Sequence, residues 1–433
     1  MKRAGSTLGL GAAVLIAALL VLPGMATATT TTSPYIVVYN GGVGNVKTET
    51  STLEAQYGFT PTFIYANALK GFAASLTSAQ LSGIQSNAAI EYVEPDTTVS
   101  AAGMVSLAAG ETEPVGIRRI GAATATQVHA SSGVNVAVLD TGIDLANTDL
   151  NAVNGTNCVK TGTTAQDDNG HGTNVAGIIA AKDQGAGVVG VTPGTKLYAV
   201  KVLGKTGSGT LSQILCGINW VTANAAALNI KVANMSLAGA GSNDNNCGNT
   251  NNDAEHKAIC NSTNAGVTYI TAAGNNRASL ASYIPAAYPE VLTVTAMTDT
   301  NGVSGGGGPA PTCTTGQSDD SYGTYSNYAV STTDQAHTIA APGTCIVSDQ
   351  LGGGTSTYYG TSQAAPHVAG TVALCLNDGG TVGPCNGLTP AQIVSKIRSD
   401  STAYATSSNG FTGDPFHPIT GKYYGYLTHA SGY

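Results

Sequence analysis

Three short strings, each present once, carry side chains that together could attack a carbonyl: VAVLDTGID around Asp140, NGHGTNVAG around His171 and YGTSQAAPHVAG around Ser362. A serine hydroxyl is a poor nucleophile at neutral pH. It needs an imidazole to accept its proton and a carboxylate to orient that imidazole and stabilise it once charged. Asp140, His171 and Ser362 supply an acid, a base and a nucleophile, in that order along the chain.

Each of the three also sits where an element should end. VAVLD is an apolar run closing on an acid, which predicts a buried parallel strand that delivers Asp140 at its carboxyl end, where open α/β sheets place their sites. His171 lies between Gly170 and Gly172, after Asp167, Asp168 and Asn169 and before a small apolar stretch, so a loop should feed a helix starting at or just before it. Ser362 follows Gly360 and Thr361 and precedes QAAPHVAG, a turn-to-helix junction whose backbone N–H groups face developing negative charge.

With these flanks and this order, the chain resembles the subtilisin-like serine proteases. The resemblance implies a secreted serine endopeptidase, made as a self-processed zymogen and working through an acyl-enzyme. The implied fold is α/β, a parallel sheet covered by helices on both faces and preceded by a small α+β propeptide domain. VTYITAAGNN, residues 267–276, maps the family's oxyanion amide onto Asn275, with the Ser362 N–H as second donor. An ordinary turn after a strand would explain Asn276 as well as Asn275. The stretch from Leu197 to Thr210 resembles one edge of the family's cleft and Asn234 to Gly239 the facing edge. Gly207 and Gly209 on one side, with Ser236, Leu237 and Ala238 on the other, would sandwich an extended peptide backbone. Arg277 to Ala287, including Tyr283, occupies the stretch that lines the primary pocket and resembles the proteinase K branch. It contains no acid, so apolar or aromatic side chains are the expected substrates rather than Lys or Arg.

Three positions depart from the family pattern. Asn174 stands for a usual histidine, Gln363 for a usual methionine beside the nucleophile, and Ala238 for a frequent glycine. Asn can replace one hydrogen-bonding function of an imidazole and Gln has about the volume of Met, so the substitutions bear on packing and oxidation resistance rather than on the reaction.

The N-terminus has the layout of a secretory signal peptide, residues 1–28: Lys2 and Arg3, an apolar stretch from Leu8 to Leu22, then AlaThrAla at 26–28. Residues 29–105 are expected to form the propeptide, reading as strand, strand, helix, strand and matching the family's transient inhibitor, whose tail lies in the cleft. The small, polar residues 97–113 read as a linker, with self-cleavage near Ala101 to Ala109, and 106–433 as the catalytic domain.

Charged residues make up only 10% of the 433, and the net charge of −8 argues against nucleic acid or anionic membrane partners, which demand basic patches. The expected product is a released, extracellular monomer whose partners are protein or peptide substrates and its own propeptide. All eight cysteines fall in the catalytic region, and an oxidising compartment would pair them. About 105 connectivities are possible. Cys247 with Cys260, bracketing an Asn-rich insertion, and Cys375 with Cys385 are favoured, leaving Cys313 with Cys345 and Cys158 with Cys216. A metal cluster is the alternative, without any CxxC pair to support it. The chemistry needs no cofactor, but Lys182 to Val188 has the length and position of the family's calcium loop, and Asp149 with Gln184 would be its ligands. The other histidines show no ligand spacing, and the insertions at 241–262 and 301–323 read as surface loops.

Two other classes are distinguishable. A catalytically dead peptide-binding relative would lack a triad member or Asn275, and none is missing. A dinucleotide-binding enzyme would carry GxGxxG after the first strand, where AspThrGlyIleAsp stands instead.

Overall fold

A computed structural model of the protein describes residues 31–101, 107–108, 114–124 and 127–433. The signal-like segment and most of the expected linker lie outside the described residues.

The first unit runs β1 (Ser33–Tyr39), α1 (Val46–Tyr57), β2 (Pro61–Tyr65), β3 (Gly71–Leu76), α2 (Ser78–Gln85) and β4 (Ile90–Pro95). Its antiparallel sheet has the order β2-β3-β1-β4. Two differences from the sequence reading have plain causes. α1 escapes notice because it buries only Val46, Thr50 and Leu53 along a polar helix. Residues 63–74 read as one strand, but they fold back at 66–70 and give two. Strand alternation splits the apolar side chains of β1. Val37 and Tyr39 join the unit's own core with Leu53, Phe59 and Phe72, while Ile36 and Val38 face the larger domain.

The chain then passes through β5 (Thr98–Ala101) and β6 (Leu107–Ala108) into the large domain. Its strands are β7 (Asn135–Asp140), β8 (Asn151–Asn157), β9 (Lys196–Lys201), β10 (Ser208–Thr210), β11 (Ile230–Met235), β12 (Leu237–Ala240), β13 (Thr268–Ala272), β14 (Tyr283–Ile284), β15 (Leu292–Thr298), β16 (Thr338–Pro342), β17 (Ile346–Asp349) and β18 (Thr355–Tyr358). Its principal helices are α3 (His171–Ala180), α4 (Leu211–Asn224), α5 (Ala254–Asn264), α6 (Thr361–Leu376) and α7 (Pro390–Tyr404).

The central sheet has the order β8-β9-β7-β11-β13-β15, with β16 also on β15, all parallel. Ser321–Tyr322 adds an antiparallel edge to β15. Both faces are covered. Val136 and Val138 pack with Val175, Ile179, Val368 and Val372 of α3 and α6, while Ala137 and Leu139 pack with Leu215, Ile218 and Ile259 of α4 and α5. This is the parallel, doubly covered sheet that near-continuous apolar strands require. The insertion at 241–262 is not wholly a loop. Its second half begins α5, capped by Asp253 accepting from the His256 N–H.

The first unit docks on α4 and α5. Ile36, Val38, Tyr65 and Leu69 share one core with Ile214, Ile218 and Ile259. Asn219 Oδ1 accepts the backbone N–H groups of Ala66, Asn67 and Ala68 at 2.9–3.3 Å. All four expected disulfides form: Cys158–Cys216, Cys247–Cys260, Cys313–Cys345 and Cys375–Cys385.

Candidate active site

β7 ends on Asp140 and α3 begins on His171, as their flanks predict. His171 Nδ1 lies 2.7 Å from Asp140 Oδ1, and both side chains are fully buried. A carboxylate can only accept, so Nδ1 carries the proton and Nε2 keeps its lone pair. Burial pulls the His171 pKa down, but the charge and hydrogen bond of Asp140 outweigh it and the net displacement is upward. Asp167, unassigned by sequence reasoning, fixes this junction. It accepts from the Thr141 hydroxyl after β7 and from the N–H and hydroxyl of Thr173 in α3.

Ser362 occupies the second position of α6. Its hydroxyl donates to the Ser236 carbonyl at 3.2 Å, and Ser236 Oγ donates back to the Ser362 carbonyl at 2.8 Å. Among the described residues His171 Nε2 has no hydrogen-bond partner. The Asp140–His171 contact is thus formed, whereas the Ser362 hydrogen turns to Ser236.

Asn275 and Asn276 are now distinguishable. Asn275 Oδ1 accepts from the Thr361 N–H at 2.9 Å and the Thr361 hydroxyl at 3.0 Å. This fixes the amide so that Nδ2, buried and without a partner among the described residues, is free to donate. Asn276 is exposed and only caps a turn through its N–H to Asn327.

The cleft edges appear as a second sheet, ordered β10-β5-β12-β14. β5 is inserted antiparallel to both neighbours: Gly209 opposes Val99 on one side, and Leu237 and Ala238 oppose Ala101 and Ser100 on the other. Gly207 stops short of the ladder, in the turn closed by its N–H to the Gly204 carbonyl. Gly209 is glycine for an internal reason as well, since a Cβ there would stand 2.3 Å from the Val202 carbonyl. Tyr283 opposes Ala240 one strand further out. β6 pairs with β18, which leads directly into Ser362. The chain's own backbone therefore flanks Ser362 on both sides, and Ser362 and His171 are wholly covered.

Comparison with known proteins agrees with this geometry. Residues 131–413 match the model described as "Subtilase family", and residues 43–102 match "Peptidase inhibitor I9". The chain belongs to the subtilase family. It is 33% identical to Subtilisin E of Bacillus subtilis (strain 168) over 350 residues, 80% of this chain and 78% of that one. It is 35% identical to a subtilisin of Bacillus pumilus over 299 residues, 68% of this chain and 93% of that one. A crystal structure of a cold adapted subtilisin-like serine proteinase superposes with a TM-score of 0.54 at 28% identity, covering 74% of this chain and 99% of that one. This subtilase is a serine endopeptidase made with an inhibitor-type propeptide, and the β1–β4 unit lies within the matched inhibitor region apart from β1.

Asp149 and Gln184 meet, with Gln184 Nε2 donating to Asp149 Oδ1 at 3.0 Å. Sequence reasoning missed their neighbour Asp349, whose carboxyl stands close enough to Asp149 for the two charges to repel. Burial and then the Asp149 charge push the Asp349 carboxyl up to about 8. One oxygen of each acid is buried without a partner, so the oxygen-rich set fits a hard cation. Elsewhere, Cys247, His256, Cys260 and Glu290 converge, but the two cysteines are bonded to each other. His367 is buried, its Nδ1–H donating to the Gln363 carbonyl, and desolvation lowers it to about 4. Among the described residues no helix is long and apolar enough to cross a membrane.

Proposed function

We propose that this subtilase hydrolyses peptide bonds through Asp140, His171 and Ser362 and cuts its own precursor first. Ser362 Oγ attacks the scissile carbonyl carbon while His171 Nε2 takes its proton. Asp140 holds the imidazole in the required tautomer and stabilises its positive charge. Asn275 Nδ2–H and the Ser362 N–H stabilise the oxyanion. As the C–N bond breaks, His171 returns the proton to the departing amine, leaving an acyl-enzyme. Water, deprotonated by the same imidazole, then releases the acid and regenerates Ser362.

The observation that carries this reading is β5 lying between β10 and β12 as an added strand, the pose of an extended substrate. Its register leads from Ala101 at Leu237 toward Ser236 and Ser362, so we place self-cleavage within two peptide bonds of Ala101. The cut propeptide would remain docked on α4 and α5 as an inhibitor. With cleavage there the propeptide, beginning at residue 29, ends near Ala101 rather than at 105, and the catalytic domain runs from that point to 433; secretion after loss of residues 1–28 and a monomeric mature form belong to the same proposal. We also assign a structural calcium to Asp149, Gln184 and Asp349, where it would replace the proton held on Asp349.

The test compares the full chain with Ser362→Ala for casein hydrolysis, fluorophosphonate labelling and N-terminal sequencing. Wild type should cleave, label and begin near residue 102. The variant should do none of these and keep its propeptide attached. A wild type that loses the propeptide yet neither labels nor cleaves would instead favour a peptide-binding relative.

A further inference from the structure

The two family departures nearest the site, Asn174 and Gln363, touch each other. Asn174 lies three residues after His171, on the same face of α3. Gln363 directly follows Ser362 in α6. Both side chains are fully buried, and Gln363 Nε2 donates to Asn174 Oδ1 at 3.3 Å. The orientation of the pair is forced. Asn174 Nδ2 approaches the Ser356 carbonyl at 3.5 Å and the Ser356 hydroxyl at 3.3 Å. A carbonyl can only accept, so the Asn174 amide must present its NH2 to β18 and its oxygen to α6. Only a donor at position 363 satisfies that oxygen. The Asn174 carbonyl also accepts from Ser348 Oγ at 2.7 Å, tying α3 to β17.

We infer that Asn174 and Gln363 form a mutually dependent pair of positioning residues, an amide bridge that sets the base-bearing end of α3 against the nucleophile-bearing end of α6. The inference rests on His171 and Ser362 being base and nucleophile. Both amides are closed off from solvent. Each acts through the neighbouring reacting residue, so it should govern kcat rather than KM. Removing one partner strands the other amide buried and unpaired, whereas removing both leaves neither amide stranded, the lost Asn174 contact to the Ser356 hydroxyl being common to every replacement of Asn174. The two positions must therefore couple.

The experiment is a double-mutant cycle on the self-processed enzyme: Gln363→Met, Asn174→Ala and the pair, with active sites titrated by a fluorophosphonate. Each single variant is expected to lose about tenfold in kcat, or about 1.4 kcal/mol, with KM within about twofold of wild type. The double variant should lose clearly less than the hundredfold product of the two. Asn174→Ser, which keeps a small acceptor, takes the place of Asn174→Ala if the latter does not mature, and should retain more activity with Gln363 than with Met at 363. Losses that multiply, or a lowered melting temperature with kcat per titrated site unchanged, would overturn the inference. A wild type that does not label fails at the triad itself and is distinguishable on that ground.

Discussion

The grip of the propeptide should weaken as pH rises, and one carboxyl should account for much of that. Glu94, near the end of β4, accepts the Ala254 N–H at the start of α5. Around it stand Asp253 and the fully buried Glu255, neither of whose oxygens has a partner, with Asp96 and the rings of Tyr92 and Tyr288 close by. The nearby basic side chains are engaged: Lys257 pairs with Glu91, and His256 sits between Asp244 and Glu290. Desolvation, then the Asp253 charge, push Glu94 from 4.5 to about 9 in the docked state. A group with a raised bound-state pKa favours binding fully below its free value and loses that contribution as pH rises to the bound value. Between about pH 6 and 8 the complex therefore holds one proton more than its separated parts at this site. The dissociation constant should rise by up to about tenfold per pH unit, or about a hundredfold across that window. Glu94→Gln keeps an acceptor for Ala254 and removes the charge. Its complex should be much less pH-dependent and, at pH 8, tighter than wild type. The assay is regain of activity on dilution of the cleaved complex, standardised to free enzyme at each pH. A Glu94→Gln complex with the wild-type slope, or weaker than wild type at pH 8, would refute the reasoning.

Asn275→Ala should lower kcat by about 10²–10³ with little change in KM, measured on a chromogenic peptide, because the donor lost acts only on the oxyanion. Joint replacement of Cys158 and Cys216 by Ala, opening a loop of 58 residues, should cost about 4 kcal/mol in the chain-entropy model. Denaturant midpoints of the Ser362→Ala precursor, which cannot digest itself, would measure it. Calcium should raise the melting temperature of wild type most above pH 8, where Asp149 and Asp349 repel once Asp349 has lost its proton. Asp349→Asn should abolish most of that increment.

The proposed reacting groups were legible as element ends because each lies in a local context that does its own positioning. VAVLD can only be a buried strand, and NGHGT and YGTSQ can only be loops opening helices, so Asp140, His171 and Ser362 arrive at element ends whatever the rest of the chain does. The two segments expected to edge the cleft were legible as strands for the same reason, and Gly209, Leu237 and Ala238 pair with β5. What local patterning could not convey are pairings between residues far apart in sequence. Asp349 is 200 positions from Asp149, and Glu94 is about 160 from Asp253 and Glu255. Helix α1 was lost for a different reason, since most of its twelve residues face water and its pattern is weak.

The departures at 174 and 363 illustrate the limit most directly. Taken singly, each looked like a tolerable loss of an imidazole or a thioether. In space they are one feature, since Gln363 donates to the oxygen that the Ser356 carbonyl obliges Asn174 to present. An apolar side chain at 363 would leave that oxygen buried and unpaired, and a residue lacking an acceptor at 174 would strand the Gln363 amide. The same reasoning extends to oxidation. An amide offers peroxide no sulfur to attack, so the residue beside the nucleophile keeps both its bridge and its shape where a thioether would be converted to a bulkier sulfoxide. Two changes that look independent along the chain are therefore better read as a single change in how the two catalytic helices are held together.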